Sequence, residues 1–181
     1  MKVKKNPDSM PFIPQLILKG WMCLLVGVLQ LGLAACATGG SMVFHSFSFD
    51  TRKESPDAVV LDYQYGSSGQ FGTYANKERI QLGESFSQHA IGGVMPRGDF
   101  LYVKWRIKGA GQIYEDKVDL KSRLPADIEG LEIHFAIKGP QLYVYLIWPY
   151  DAKHEYPPGD LKSFGKVKQV RLYPDQPKYN H

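Results

Sequence analysis

From Val43 onward the apolar residues of this chain recur at every second position, and that period decides what it can fold into. Val43, His45, Phe47 and Phe49 alternate with Phe44, Ser46 and Ser48. Val59, Leu61, Tyr63 and Tyr65 alternate with Val60, Asp62 and Gln64. Leu101, Val103, Trp105 and Ile107 alternate with Tyr102, Lys104, Arg106 and Lys108. Leu131, Ile133, Phe135 and Ile137 alternate with Glu132, His134, Ala136 and Lys138, and Leu142, Val144, Leu146 and Trp148 with Tyr143, Tyr145 and Ile147. Strand side chains point alternately to the two faces, so each run has one apolar face to bury. Gly109-Ala110-Gly111 joins the run ending at Lys108 to Gln112–Leu120, and Gly139-Pro140 joins Lys138 to Gln141, both as hairpins. Met95 to Asp99 reads as a further turn, and Phe164–Tyr173 as a final strand. Leu124–Gly130 has room for a single helical turn, and Pro149–Gly159 is a long loop. Gly66–Gly93, rich in glycine and serine, reads as another long loop with a short strand at Glu78–Leu82. The sum is an all-β chain: an antiparallel β-sandwich of about seven or eight strands with little helix.

The N-terminus follows another pattern. Lys2, Lys4, Lys5 and Lys19 precede an apolar run from Trp21 to Leu33, broken only by Gln30 and glycines. That is signal-peptide length, short for a membrane span. It ends in Leu33-Ala34-Ala35-Cys36, which resembles the lipobox of bacterial lipoproteins. The resemblance implies cleavage between Ala35 and Cys36 and lipidation of Cys36 with diacylglycerol and a further acyl chain. The competing reading is an uncleaved anchor helix with a chance cysteine. Three prolines in the lead from Asn6 to Pro14 depart from the usual pattern, and translation from Met10 would still keep Lys19. The expected organisation is a signal peptide over 1–35, a lipidated tether over 36–41, and a single β-sandwich domain over 42–181. Ala37 rather than Asp after the cysteine implies, by the same resemblance, the inner leaflet of the outer membrane, facing the periplasm. More than one acyl chain suffices for lasting attachment.

Removal of the signal changes the charge. The chain's 22 basic and 18 acidic residues, less Lys2, Lys4, Lys5, Lys19 and Asp8, leave 18 and 17 in the 146 that remain, a net charge of +1. The basic balance belongs mostly to the signal, so nucleic acid is not an expected partner. Both cysteines, Cys23 and Cys36, lie at or before the cleavage position, so the domain holds itself together by packing without disulfides.

No catalytic motif stands out, and the expectation is a protein without enzymatic activity, resident metal or cofactor. Gly66-Ser67-Ser68-Gly69 lacks the strand–turn–helix setting that exposes a nucleophilic serine. Glu132 and His134 share one strand face, which places two metal ligands together, but without a third they read as a solvated face. Asp116 and Asp119 beside Glu115 are interleaved with Lys117, Lys121 and Arg123, which points to charge balance across a hairpin. Aromatics are dense at Tyr102, Tyr114, Tyr143, Tyr145 and Trp148, where cross-strand pairing accounts for them. In the loop after Trp148 the residues Tyr150, His154, Glu155 and Tyr156 are as fit for contact with a partner protein as for structure.

The stretches Pro96–Arg106, Tyr114–Leu120 and Ser122–Pro125 are similar to a group of small proteobacterial lipoproteins, the likeness covering roughly Leu61 to Pro149. Members of that group lie beside genes of type VI secretion spike proteins and toxic lipases. They are similar to periplasmic immunity proteins that neutralise phospholipase effectors. The resemblance implies an immunity lipoprotein whose partner is a cognate lipase, and it assigns no inhibitory residue to a numbered position. Two other readings stand beside it: a structural or assembly lipoprotein of the envelope or secretion apparatus, and a lipid- or glycan-binding lipoprotein that uses its aromatics as a platform.

Overall fold

The computed structural model describes residues 41–175. The signal, the Ala35/Cys36 position and residues 36–40 of the tether lie outside the described residues, as do 176–181. Among the described residues eight strands form two sheets: β1 (Met42–Asp50), β2 (Ala58–Tyr65), β3 (Gln88–Pro96), β4 (Phe100–Ile107), β5 (Ile113–Asp119), β6 (Glu132–Lys138), β7 (Gln141–Ile147) and β8 (Gln169–Tyr173). Two short helices, α1 (Thr51–Glu54) and α2 (Lys77–Gln81), and a 3-10 turn at Lys162–Phe164 complete the elements. The larger sheet has the order β3-β1-β6-β7-β8 and the smaller β2-β4-β5. The fold is an all-β sandwich. Its neighbouring strands run antiparallel except β1 and β6, which pair in parallel with Phe47 opposite Ile133. None of the described helices is long and apolar enough to cross a membrane.

The alternating residues make the core. Phe47, Phe49, Ile133, Phe135, Leu142 and Val144 from the larger sheet meet Val60, Tyr65, Leu101, Val103 and Trp105 from the smaller in one buried cluster. Each such side chain contributes roughly 1.5–3 kcal/mol of transfer free energy. Aromatics dominate the centre: Phe47 stacks on Tyr65 at 4.9 Å, Phe49 stacks on Phe135 at 4.5 Å, and Phe47 meets Phe135 at a tilt with ring centroids 6.1 Å apart. Two polar side chains at the edge of this layer are matched. The Trp105 indole N–H donates to the Gly139 carbonyl at 3.1 Å. His45 is fully buried, with Nδ1 2.9 Å from the Val43 carbonyl and Nε2 2.8 Å from the Tyr65 hydroxyl. A carbonyl only accepts, so Nδ1 carries the proton and Nε2 accepts from Tyr65.

Turns sit where the sequence places them. Gly139 takes φ +59° in the two-residue connection that pairs Lys138 with Gln141, as primed hairpin turns require. Gly98 is needed for closeness: a Cβ there would lie 2.4 Å from the Tyr65 ring.

Five expectations are corrected. Gly66–Gly93 is loop for most of its length, but its last six residues belong to β3, which begins at Gln88 and pairs along the whole of β1. Its neighbour Glu78–Leu82 is helical rather than extended: the Asn76 side chain accepts from the Arg79 N–H and caps α2. In β2 the inward residues are Ala58, Val60, Tyr63 and Tyr65 rather than Val59 and Leu61, because a register shift between Val60 and Asp62 changes the phase mid-strand. Leu124–Gly130 forms turns without a helix, and the last strand begins only at Gln169.

Candidate functional site

The outward face of the larger sheet is divided into two unlike halves. After β7 the chain leaves as an irregular segment, 148–168, and returns across that face. Leu161 is buried in a second small cluster with Ala136, Tyr145 and Ile147, with Phe164 and Val167 packed against it. The alternate residues of β6 and β7, facing away from the main core, are therefore buried as well. This segment is called the strap below.

The strap is fastened by polar contacts at several points. Glu54 of α1 accepts from the backbone N–H groups of Lys162 and Ser163 at 3.0 and 2.7 Å. Burial pushes its carboxyl up, but these donors and the nearby His134 outweigh that and hold it below the usual range. The Tyr145 hydroxyl donates to Asp160 at 3.2 Å, and burial with that carboxylate beside it pushes the phenol above its ordinary range. Gln169 accepts from the Leu161 N–H and donates to the Phe164 carbonyl.

Beneath the strap lies a polar cluster on adjacent strands. Ser48 Oγ donates to Glu132 Oε1 and accepts from His134 Nδ1 at 2.7 Å. The expectation of a solvated Glu132–His134 face fails at the histidine: His134 lies under Phe164 of the strap and is only 3% exposed, while Glu132 stays partly exposed. Burial pushes the Glu132 carboxyl up, yet hydrogen bonds from His134 and Ser48 bring it below the ordinary value. Serine, histidine and a carboxylate suggest a nucleophilic triad, but the geometry differs. A triad spreads serine and acid across the two ring nitrogens. Here both converge on Nδ1, with Glu132 3.6 Å from it, while Nε2 has no hydrogen-bond partner among the described residues. The His134 ring meets Phe164 edge-on at 4.9 Å. The chain from His134 through Ser48 to Glu132 ties β1 to β6 and supports the strap; it gives no route for a proton from serine through the ring to an acid.

The four contact residues expected from the sequence lie in the first half of the strap. Tyr150 is 67% exposed, His154 and Glu155 are exposed, and Tyr156 is half-buried. Asp151 orders their backbone, accepting from the Lys153 N–H at 2.9 Å and from His154 Nδ1 at 2.5 Å. Those contacts hold its carboxyl below the usual range. The His154 and Tyr156 rings lie 6.2 Å apart. Strand register fixes where this loop emerges. Ile147 is opposite Glu132, and Glu132 opposite Ser46, so β7 delivers its outgoing chain to the end of the sheet at which β1 begins.

The remaining expectations about side chains resolve locally. Tyr114 stacks on Trp105 at 5.8 Å, Tyr102 donates to Glu115 at 3.1 Å, and the Lys168 ammonium sits 4.3 Å over the Trp148 ring. The acidic hairpin residues are corrected in their partners. Asp116 accepts from Tyr173, Asp119 from Ser122 and the Lys121 N–H, and Lys117 sits over Phe100 rather than on a carboxylate. Among the described residues no group of three or more His, Cys, Asp or Glu side chains is placed to hold a metal ion. An open concavity of about 590 Å³, lined by Asp62, Tyr74, Lys77 and the exposed Phe71 among others, lies beside β2 and α2. Local sequence holds no sign of it, because most of its walls come from the Gly66–Gly93 segment.

Fold and site together define an all-β sandwich with a strapped outer face and a presented loop. Compared with protein-family models, curated proteins and solved structures, the chain matches none of them.

Proposed function

We propose that this protein is an envelope lipoprotein, anchored through Cys36, that acts as an immunity protein by binding and inhibiting a phospholipase effector in the periplasm. The observation that carries the reading is the loop holding Tyr150, His154, Glu155 and Tyr156: its return segment is pinned to the sheet, its middle is exposed, and it emerges at the end of the sheet where the tether enters. An inhibitor of a membrane-degrading enzyme needs a rigid contact loop held near the membrane, and tyrosine gives large contact area at low entropic cost. A lipid anchor raises the local concentration of inhibitor on the surface where such an enzyme works. The exported N-terminus and the resemblance to lipoproteins found beside lipase genes support the same reading.

Two experiments test it. Metabolic labelling with palmitate should mark the wild-type chain and leave Cys36→Ser unmarked. Deletion should leave cells open to killing by sister cells that carry the effector, and complementation should restore protection. Loss of secretion without self-poisoning would favour the structural reading instead. The concavity beside Phe71 favours the ligand-binding reading to the extent that it accepts lipid or glycan, which binding measured with Phe71→Ala as the control would reveal.

A further inference from the structure

Along β1 and β3, the two strands at the other side of the outer face, polarity is graded from an apolar end to a polar one. Outward positions of β1 run Met42, Phe44, Ser46, Ser48, Asp50. Those of its partner β3 run Pro96, Val94, Gly92, Ala90, Gln88 in the same direction, with Met42 opposite Pro96 and Phe44 opposite Val94. Met42, Phe44 and Val94 are 60%, 51% and 62% exposed. Two strands thus become apolar together, at one end only, and that end is where the tether enters. Cys36 is six residues before Met42, and a chain spans at most about 3.6 Å per residue, so the patch stays within roughly 20 Å of the cysteine.

We propose that Met42, Phe44 and Val94 rest on the bilayer surface and set the orientation of the anchored domain. This rests on lipidation of Cys36. Exposed apolar side chains next to an acyl anchor lose water by entering the headgroup boundary, as the apolar face of an interfacial helix does. The polar end of the same strands, at Asp50, then stands away from the membrane, about 27 Å along β1 at the usual rise per residue. The Phe44 N–H donates to Glu129 at 3.1 Å, which keeps that carboxylate at the rim. Held this way, the loop at Tyr150 faces the zone just above the lipid.

The test uses the full acylated chain in vesicles of phosphatidylethanolamine and phosphatidylglycerol. Once Cys36 is acylated and Cys23 removed with the signal, a cysteine introduced by Val94→Cys or Lys53→Cys is the one free thiol for an environment-sensitive fluorophore. Lys53 is an exposed position in α1, at the far end of the same sheet. The expected result is a blue shift at position 94 and loss of its emission when the acyl chains are brominated, with neither change at position 53. If both labels report water while the protein floats with the vesicles and Cys36 carries lipid, the orientation is wrong and the anchoring reading survives. If position 94 is shielded without vesicles, increasingly with protein concentration, a second copy covers the patch and the proposal is overturned. If mass spectrometry finds no lipid on Cys36, the anchoring reading falls, and this inference with it.

Discussion

His45 and His89 are the residues whose chemistry reaches the whole fold. Burial lowers the affinity of both for a proton, only partly offset by the Val43 carbonyl in one case and the Gly72 carbonyl in the other. The sign follows directly. In the unfolded chain a histidine titrates near pH 6.5. Below that pH the unfolded state takes protons that the folded state refuses, so stability falls as the solution is acidified and is fully present above it. The thermal midpoint is therefore expected to drop between pH 7 and pH 5. Glu54 and Glu132, whose carboxyls are held low, add a second loss at more acid pH, as they are forced to protonate. His45→Gln should lower stability at pH 7 by about 1–3 kcal/mol, through its buried partner Tyr65, and flatten the slope below pH 6.5. An unchanged slope in that variant would place the pH dependence elsewhere.

Among the elements, the strap makes the sharpest prediction. Leu161→Ala removes the apolar anchor of the segment and should cost about 2–4 kcal/mol of local stability. Glu54→Ala strips two backbone donors of their acceptor and should cost about 1–2 kcal/mol. Both should speed hydrogen exchange at Lys162 and Ser163 and open the segment to limited proteolysis, with the strands unaffected. If exchange rises equally across β6 and β7, the strap is not a separate unit. The strap also marks how far the sequence could be read. β1 and β4 are legible because a strand with one buried face alternates strictly, and β6 and β7 because their short apolar runs are closed by the Gly139-Pro140 turn. β3 is not, since Gly92 and Gly93 break its pattern and its outward residues include no run of β-branched side chains. β2 is legible as a strand but not in its facing, because a bulge leaves no mark in the order of apolar residues. The exposed loop could be found, as turn-rich sequence between two strands. The Ser48–Glu132–His134 cluster could not, because it joins positions 86 residues apart in the chain through a parallel pairing that local sequence does not announce.

For the molecule as a whole, the arrangement is directional. Met42 at the start of β1, the apolar ends of β1 and β3 and the exit of β7 share one end of the larger sheet. A rigid sandwich raised from that end would keep the Tyr150–Tyr156 loop close to the lipid surface. Replacing Tyr150 and Tyr156 together by alanine should weaken partner binding by one to two orders of magnitude, about 1.4 kcal/mol for each tenfold. Thermal stability should change little, because Tyr150 is exposed and Tyr156 only half-buried. Inhibition of the phospholipase is tested by a titration. The acylated protein, with any phospholipase recovered alongside it from envelope extract, is placed on phosphatidylethanolamine vesicles and fatty-acid release is followed against inhibitor concentration. Hydrolysis is expected to fall to background at one inhibitor per enzyme and to return with the double alanine variant. Full hydrolysis in the presence of excess wild-type protein would rule out inhibition.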